Sequence, residues 1–117
     1  MQVDIQNEEQ TEALLASIST APRVTLDQVN QVMKEVEYWV EVPTGTTTTI
    51  ASAFIRGFHL ADGHSYCVNP ENFNAEYGEK AAIAKAEANA KDAVWKMLGT
   101  LLFAHNNPDL FKEQSND

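Results

Sequence analysis

Basic residues and cysteine are scarce in this chain of 117 residues. Eight Lys and Arg stand against seventeen Asp and Glu, which gives a formal net charge of −9 at pH 7. Clustered Lys and Arg are what hold a phosphate backbone or an anionic membrane, so we expect no direct binding to nucleic acid or membrane. The single cysteine, Cys67, excludes an internal disulfide. The N-terminus has neither a basic start nor an apolar core of the signal-peptide type, so we expect a cytoplasmic protein.

Long apolar runs and glycine-rich loops are also missing. The longest apolar run is far shorter than the roughly twenty residues that cross a bilayer. The five glycines are scattered, so no phosphate-binding glycine loop is present. A hydrophobic content of 44% is enough for one modest core. We expect an acidic N-terminal arm over residues 1–22, one domain over 23–106 and a polar tail over 107–117.

Two helices and a small sheet follow from local patterns. Thr25 to Gln28 has the form of a capping box and predicts a short helix. Alternation around Tyr38 predicts a strand, and a β-branched segment that ends at Arg56-Gly57 predicts a hairpin, with a bulge or turn in Ala61-Asp62-Gly63-His64. Asn74 predicts the cap of a long helix from Ala75 to about Ala104. The fold class is therefore α+β: an antiparallel sheet of about three strands, preceded by a short helix and followed by one long C-terminal helix.

The long helix carries more apolar surface than a small core can cover. Its first half is lined with alanine, whereas its second half has large apolar residues around most of its circumference. Exposed apolar surface of this kind indicates contact with another chain. We therefore predict a homo-oligomer.

One segment concentrates side chains that are able to do chemistry. His59, Asp62, His64, Ser65 and Cys67 lie within nine residues. A hydrolase or a metal site is one interpretation, but His59 and His64 would lie on opposite faces of a regular strand, and neither a paired metal-ligand spacing nor a nucleophile elbow is present. We therefore predict no enzyme activity, no metal and no cofactor.

Aromatic and cationic side chains suit a nucleotide better. Trp39, Trp95 and Tyr66 could stack on a base, although the two tryptophans also suit core or interface packing. Arg56, Lys80 and Lys85 are the cations placed to meet phosphates, and the helix start near Asn74 offers free N–H groups.

The motifs from the hairpin to the long helix resemble a known family. They are the Gly57-Phe58 hairpin, the strand Gly63-His64-Ser65-Tyr66-Cys67-Val68, the Asn72-Phe73 helix entry and the helical Trp95. Together they resemble the small tailed-phage accessory proteins of the gene-forty-nine and gene-sixty-six type, over about residues 24 to 103. His59 and Ala61-Asp62 depart from that pattern, which leaves the register of this strand open. The layout is also similar to that of phage anti-Thoeris and anti-CBASS proteins, oligomers that enclose nucleotide immune signals without cleaving them.

These resemblances imply a non-enzymatic phage counter-defence protein that binds and sequesters a nucleotide-derived second messenger, of the cyclic nucleotide or cyclic ADP-ribose type. The alternatives are an acidic inhibitor of a host enzyme that acts on nucleic acid, and a hydrolase that uses the histidine cluster. The candidate ligand-binding residues, chosen by their chemistry, are Arg56, Phe58, His59, Asp62, His64, Ser65, Tyr66, Asn72, Lys80 and Lys85.

Overall fold

The computed structural model describes residues 7–112 and confirms the α+β class. Residues 1–6 of the expected arm and 113–117 of the expected tail lie outside the described residues. In chain order the elements are α1 (Glu8–Ile18), α2 (Leu26–Met33), β1 (Val36–Glu41), β2 (Thr48–Ile55), β3 (Phe58–Tyr66), a 3-10 turn (Pro70–Asn72) and α3 (Ala75–Asn106).

The start of α2 shows the predicted capping box. The Thr25 hydroxyl accepts a hydrogen bond from the backbone N–H of Gln28, and the Gln28 side chain accepts one from the N–H of Thr25. Two of the backbone donors that every helix start leaves unpaired are satisfied in this way. Val29, one turn into the helix, is completely buried.

The three strands form an antiparallel sheet in the order β1-β2-β3. Arg56 and Gly57 join β2 to β3, with φ angles of 50° and 82°. Two consecutive positive φ angles define the type I′ turn, whose twist matches that of the strands it connects. The hairpin prediction is therefore confirmed at these residues.

The irregularity in β3 lies one residue before the predicted segment. Ala53 pairs with Ala61 but Phe54 pairs with His59, so Leu60 is the extra residue of a bulge. Gly63 instead lies within regular pairing, opposite Ala51. The glycine that suggested a bulge serves helix packing, because a Cβ at Gly63 would overlap the backbone of α3 at Ala82 and Ala86.

The core lies between one face of the sheet and the first half of α3. Its buried residues are mostly alanines, namely Ala51 and Ala53 on β2 and Ala82, Ala86 and Ala90 on α3. Small side chains on both surfaces allow a close approach of helix and sheet. The Asn74 side chain accepts a hydrogen bond from the N–H of Tyr77, which confirms the predicted start of α3.

The N-terminal helix attaches to this core through charged side chains. Glu8 of α1 pairs with Lys91 of α3 at 2.8 Å, and Glu12 pairs with Arg23. No residue of α1 is buried. Within residues 7–112, no helix is both long enough and apolar enough to span a membrane.

Candidate functional site

The outer edge of β3 is closed by side chains of α3. The Asn89 amide donates a hydrogen bond to the carbonyl oxygen of Asp62 at 2.8 Å, and the Lys85 ammonium donates one to that of His64 at 2.9 Å. An edge strand would otherwise leave these carbonyls unpaired. The two contacts also fix a lysine and an amide beside the polar side chains of β3.

A groove runs between this edge and α3, with a volume of about 420 Å³. The absence of a side chain at Gly63 brings the helix close enough to form its floor. We call it the β3–α3 groove, and its lining residues are Asp62, Gly63, His64, Tyr66, Lys85, Ala88 and Asn89.

A smaller cleft of about 120 Å³ lies at the end of the sheet, beside the start of α3. Tyr66 lines both spaces. The Thr49 hydroxyl at its base is buried and has no hydrogen-bond partner among the described residues. We call this space the end cleft, and its lining residues are Thr47, Thr49, Ser65, Tyr66, Cys67, Asn72, Phe73, Asn74, Tyr77 and Gly78.

The bulge at Leu60 decides which way the histidines point. It places His59 on the same face of the sheet as Asp62 and His64. Their partners are Phe54, Ser52 and Ile50, which are every second residue of β2 and therefore share one face. A regular strand would have separated the two histidines, and the bulge expected in this segment is what brings them to one face.

A hydrogen-bonded pair forms on this face. His59 Nε2 and Asp62 Oδ1 are 2.8 Å apart. The hydrogen bond with His59, and then one from Ser52, lower the pKa of the Asp62 carboxyl below its usual value. The Asp62 carboxylate is therefore an acceptor with partners already in place. Within residues 7–112, no three His, Cys, Asp or Glu side chains come together as a metal site would require.

No described element covers the face of the sheet that points away from α3. Its exposed aromatic on β1 is Trp39, with 61% of its surface accessible. Glu37 and Glu41 flank it along the strand. We call this surface the open face, and its residues are Glu37, Trp39, Glu41, Thr48, Ile50, Ser52, Phe54, His59, Asp62, His64 and Tyr66.

Six of the ten candidate residues lie together along the groove and the end cleft. They are Asp62, His64, Ser65, Tyr66, Asn72 and Lys85. His59 adjoins them through Asp62.

The other three lie elsewhere. Arg56 and Phe58 are at the hairpin, where Arg56 donates two hydrogen bonds to the Glu35 carboxylate. Lys80 pairs with Glu76 on the exposed surface of α3.

Asn89 and Tyr77 were not among the candidates, although both line this surface. Asn89 follows Lys85 by one helical turn and therefore shares its face of α3. That spacing is a signal that could have identified it. Tyr77 lies three residues after the helix cap, and only the packing of α3 on the sheet shows that it borders a cleft.

The fold and this surface define a small α+β protein with an aromatic and polar groove at a sheet edge. The chain belongs to the phage protein family described as N4 Gp49/phage Sf6 gene 66, which matches residues 24–105. The match runs from the residue before the capping box to the end of α3, and it confirms the predicted family. Comparisons with curated proteins and with solved structures gave no match.

Proposed function

We propose that this phage protein captures a nucleotide-derived second messenger of the host, of the cyclic nucleotide or cyclic ADP-ribose type, and holds it without cleaving it. Capture of such a signal in the host cytoplasm would serve counter-defence. The observation that carries the proposal is that candidate residues from β3, the 3-10 turn and α3 line two spaces that share Tyr66.

Tyr66 offers a platform for a base. Its side chain is 71% exposed, and its ring stacks on that of His64 at 6.2 Å with an interplanar angle of 17°. Aromatic rings in this position stack on any base, at about 1–3 kcal/mol per base. The His64 ring behind Tyr66 limits its freedom, so less entropy is lost when a ligand binds.

Polar groups that suit a phosphate and a base edge surround this ring. The Lys85 ammonium has three donors, and the His64 carbonyl takes one of them. The Asn72 side chain lies on the end-cleft side of Tyr66, whereas that of Asn89 lies on the groove side and uses one donor on Asp62. A groove of about 420 Å³ is within the range of small-molecule sites, roughly 300–1,000 Å³.

The placement of the nucleophiles supports binding without cleavage. Ser65 pairs with Thr49 on the side of the sheet that faces α3, whereas His64 and Asp62 lie on the open face. The Cys67 thiol donates a hydrogen bond to the carbonyl of Asn69. A hydroxyl or thiol nucleophile needs a base within about 3 Å. Here the Ser65 hydroxyl and the histidine base lie on opposite faces of the sheet.

A capture and release assay tests the proposal. The purified protein is mixed with a panel of cyclic dinucleotides and cyclic ADP-ribose isomers and passed through an ultrafiltration membrane. We expect one ligand to be retained and then recovered unchanged after heat denaturation. Recovery of a cleaved product would point to the hydrolase, and retention of none would contradict the proposal.

Two variants locate the site. Tyr66→Ala removes the stacking platform, and Lys85→Gln keeps a donor for the His64 carbonyl while it removes the charge. Each should weaken retention about fivefold or more, because a stacked base contributes about 1–3 kcal/mol and a charged hydrogen bond about 1.5–3 kcal/mol. Trp39→Ala is the matched control, since it removes another exposed aromatic, 61% accessible against 71% for Tyr66, from the far strand. Equal loss in Tyr66→Ala and Trp39→Ala would place the ligand outside the groove.

The composition of the open face favours a second candidate, an acidic inhibitor of a host enzyme that acts on nucleic acid. This face carries Glu37, Glu41 and Asp62 around Trp39, and none of the strand residues that form it is Lys or Arg. Carboxylates in such a pattern can occupy a basic surface that otherwise binds phosphates. The test is to measure whether the protein inhibits host enzymes that act on DNA. Three results would support this candidate over messenger capture: added duplex DNA relieves the inhibition, Trp39→Ala abolishes it, and Tyr66→Ala leaves it intact.

A further inference from the structure

The outer edges of β3 and β1 differ in whether their backbone carbonyls have hydrogen-bond partners. On β3, the outward carbonyls of Asp62 and His64 accept hydrogen bonds from α3. On β1, within the described part of the chain, the outer edge accepts no such bond, and no element pairs with it. An uncovered edge is a template for pairing with another strand.

The hydrogen-bond pattern of the sheet decides which backbone N–H and C=O groups of β1 point away from β2. Asp62 points its carbonyl away from β2, so its partner Ser52 points its own backbone groups towards β1. Trp39, opposite Ser52, is then bonded to β2. Its neighbours Tyr38 and Val40 must therefore direct their N–H and C=O groups outwards, and Val36 does the same.

We propose that the outer edge of β1 is the dimer interface of this protein, where β1 pairs antiparallel with β1 of a second copy to form a continuous six-stranded sheet. In this arrangement Tyr38 lies opposite Tyr38 of the other copy. Val36 lies opposite Val40, and Glu37 lies opposite Trp39. The inference is independent of the proposed ligand, because the β3–α3 groove lies at the opposite edge of each sheet.

The glutamates select this register. Only registers that oppose outward-pointing residues can form hydrogen bonds, and the two nearest alternatives are centred on Glu37, which then faces its own copy, and on Trp39. The alternative centred on Trp39 places Glu37 directly opposite Glu41 twice, and like charges directly opposite each other are destabilising. The register centred on Tyr38 places each Glu37 beside an indole ring instead. Glu35, which then approaches Glu41, already pairs with Arg56.

A second copy fits this edge because the strand is complementary to itself about Tyr38. Its side chains that face α3, Val36, Tyr38 and Val40, are half-buried and apolar or aromatic in one subunit, so pairing extends the same layer without burying a charge. A twofold axis perpendicular to the sheet keeps both α3 helices on one face. Closed pairing about a twofold axis is the commonest form of protein association.

Cysteine cross-linking tests both the interface and its register. In a Cys67→Ser background, Glu37→Cys chains are mixed with Trp39→Cys chains and oxidised. Directly opposite residues that are not hydrogen-bonded lie about 4.5 Å apart at Cα, which suits a disulfide. We expect a cross-linked dimer from the mixture and little from either chain alone. A dimer from Trp39→Cys alone would overturn the register, and no cross-link in any combination would overturn the interface.

Proline substitution gives an independent measurement on the whole chain. The N–H of Val40 points outwards, so Val40→Pro removes a donor to the second copy without removing one to β2. We expect sedimentation to show a mass of twice the chain for the native protein and about half that for Val40→Pro, with the circular dichroism of the fold retained. Trp39→Pro is the matched control and should unfold the sheet itself. A native protein that sediments as a single chain at micromolar concentration, or a Val40→Pro variant that is still dimeric, would refute the proposal.

Discussion

The two halves of α3 have opposite relations to the rest of the molecule. In residues 75–94 every fourth residue is buried, namely Gly78, Ala82, Ala86, Ala90 and Val94. In residues 95–106 none is buried, although this half contains the larger apolar side chains. Leu101 is 65% exposed and Phe103 is 49% exposed.

Side-chain size explains the difference better than hydrophobicity does. The small residues at four-residue spacing form a flat stripe that approaches Ala51, Ala53 and Gly63 of the sheet closely. At about 1.5 Å per residue, the 32 residues of α3 extend roughly 48 Å, which exceeds the length of strands of six to nine residues. The second half continues past the sheet, where α2 and the segment before it border only part of its surface.

The largest expected effect is at the closest contact of the first half. Gly63→Val adds a side chain that must overlap the backbone of α3 at Ala82 and Ala86, and backbone cannot move aside as a side-chain end can. We expect a loss of about 3 kcal/mol or more in the free energy of unfolding, measured by urea denaturation. Valine otherwise favours strands, so the effect would come from the packing alone.

Gly99→Ala is the control for this prediction, in the second half of α3. A Cβ at Gly99 meets nothing within 4 Å. Alanine is the better helix former, so the free energy of unfolding should rise by up to about 1 kcal/mol. If Gly63→Val unfolded at the same urea concentration as the native protein, the close contact described for the first half would be wrong.

Local chemistry made much of this fold predictable. The capping box at Thr25, the positive φ angles of Arg56-Gly57 and the Asn74 cap each depend on residues that are near in sequence. The sequence predicted a bulge in this part of β3 but not its exact position at Leu60, because Gly63 has two possible uses and only the packing of α3 distinguishes them.

The candidate site was predictable to a similar degree. Residues from His59 to Tyr66 share one strand, so the strand itself brings most of them together. Lys85 joins them because α3 packs along that strand. The four-residue spacing of Glu76 and Lys80 predicts their pairing on α3, which the structure confirms. The pairing of Arg56 with Glu35 joins residues far apart in sequence and could not be predicted.

An intermediate effect is expected where the first half of α3 begins. Asn74→Ala removes the side-chain acceptor of the Tyr77 N–H, and such a loss costs about 1 kcal/mol in the free energy of unfolding. Asn74→Ser retains an acceptor and should cost less than half as much in the same urea measurement. A cost for serine that equals or exceeds that for alanine would contradict the role of Asn74 as a cap.

The smallest effect is expected in the second half, at Leu101. Its side chain is mostly exposed, so Leu101→Gln removes little burial and should change the free energy of unfolding by less than about 0.5 kcal/mol. The measurement is made at two protein concentrations, tenfold apart. A dimer formed through the edge of β1 leaves Leu101 exposed, so the difference between variant and native protein should be the same at both. A cost that grows with protein concentration would instead mean that another chain covers this half of α3, because a stabilising partner acts by mass action. The contrast between the two halves would then describe a single subunit and not the assembled protein.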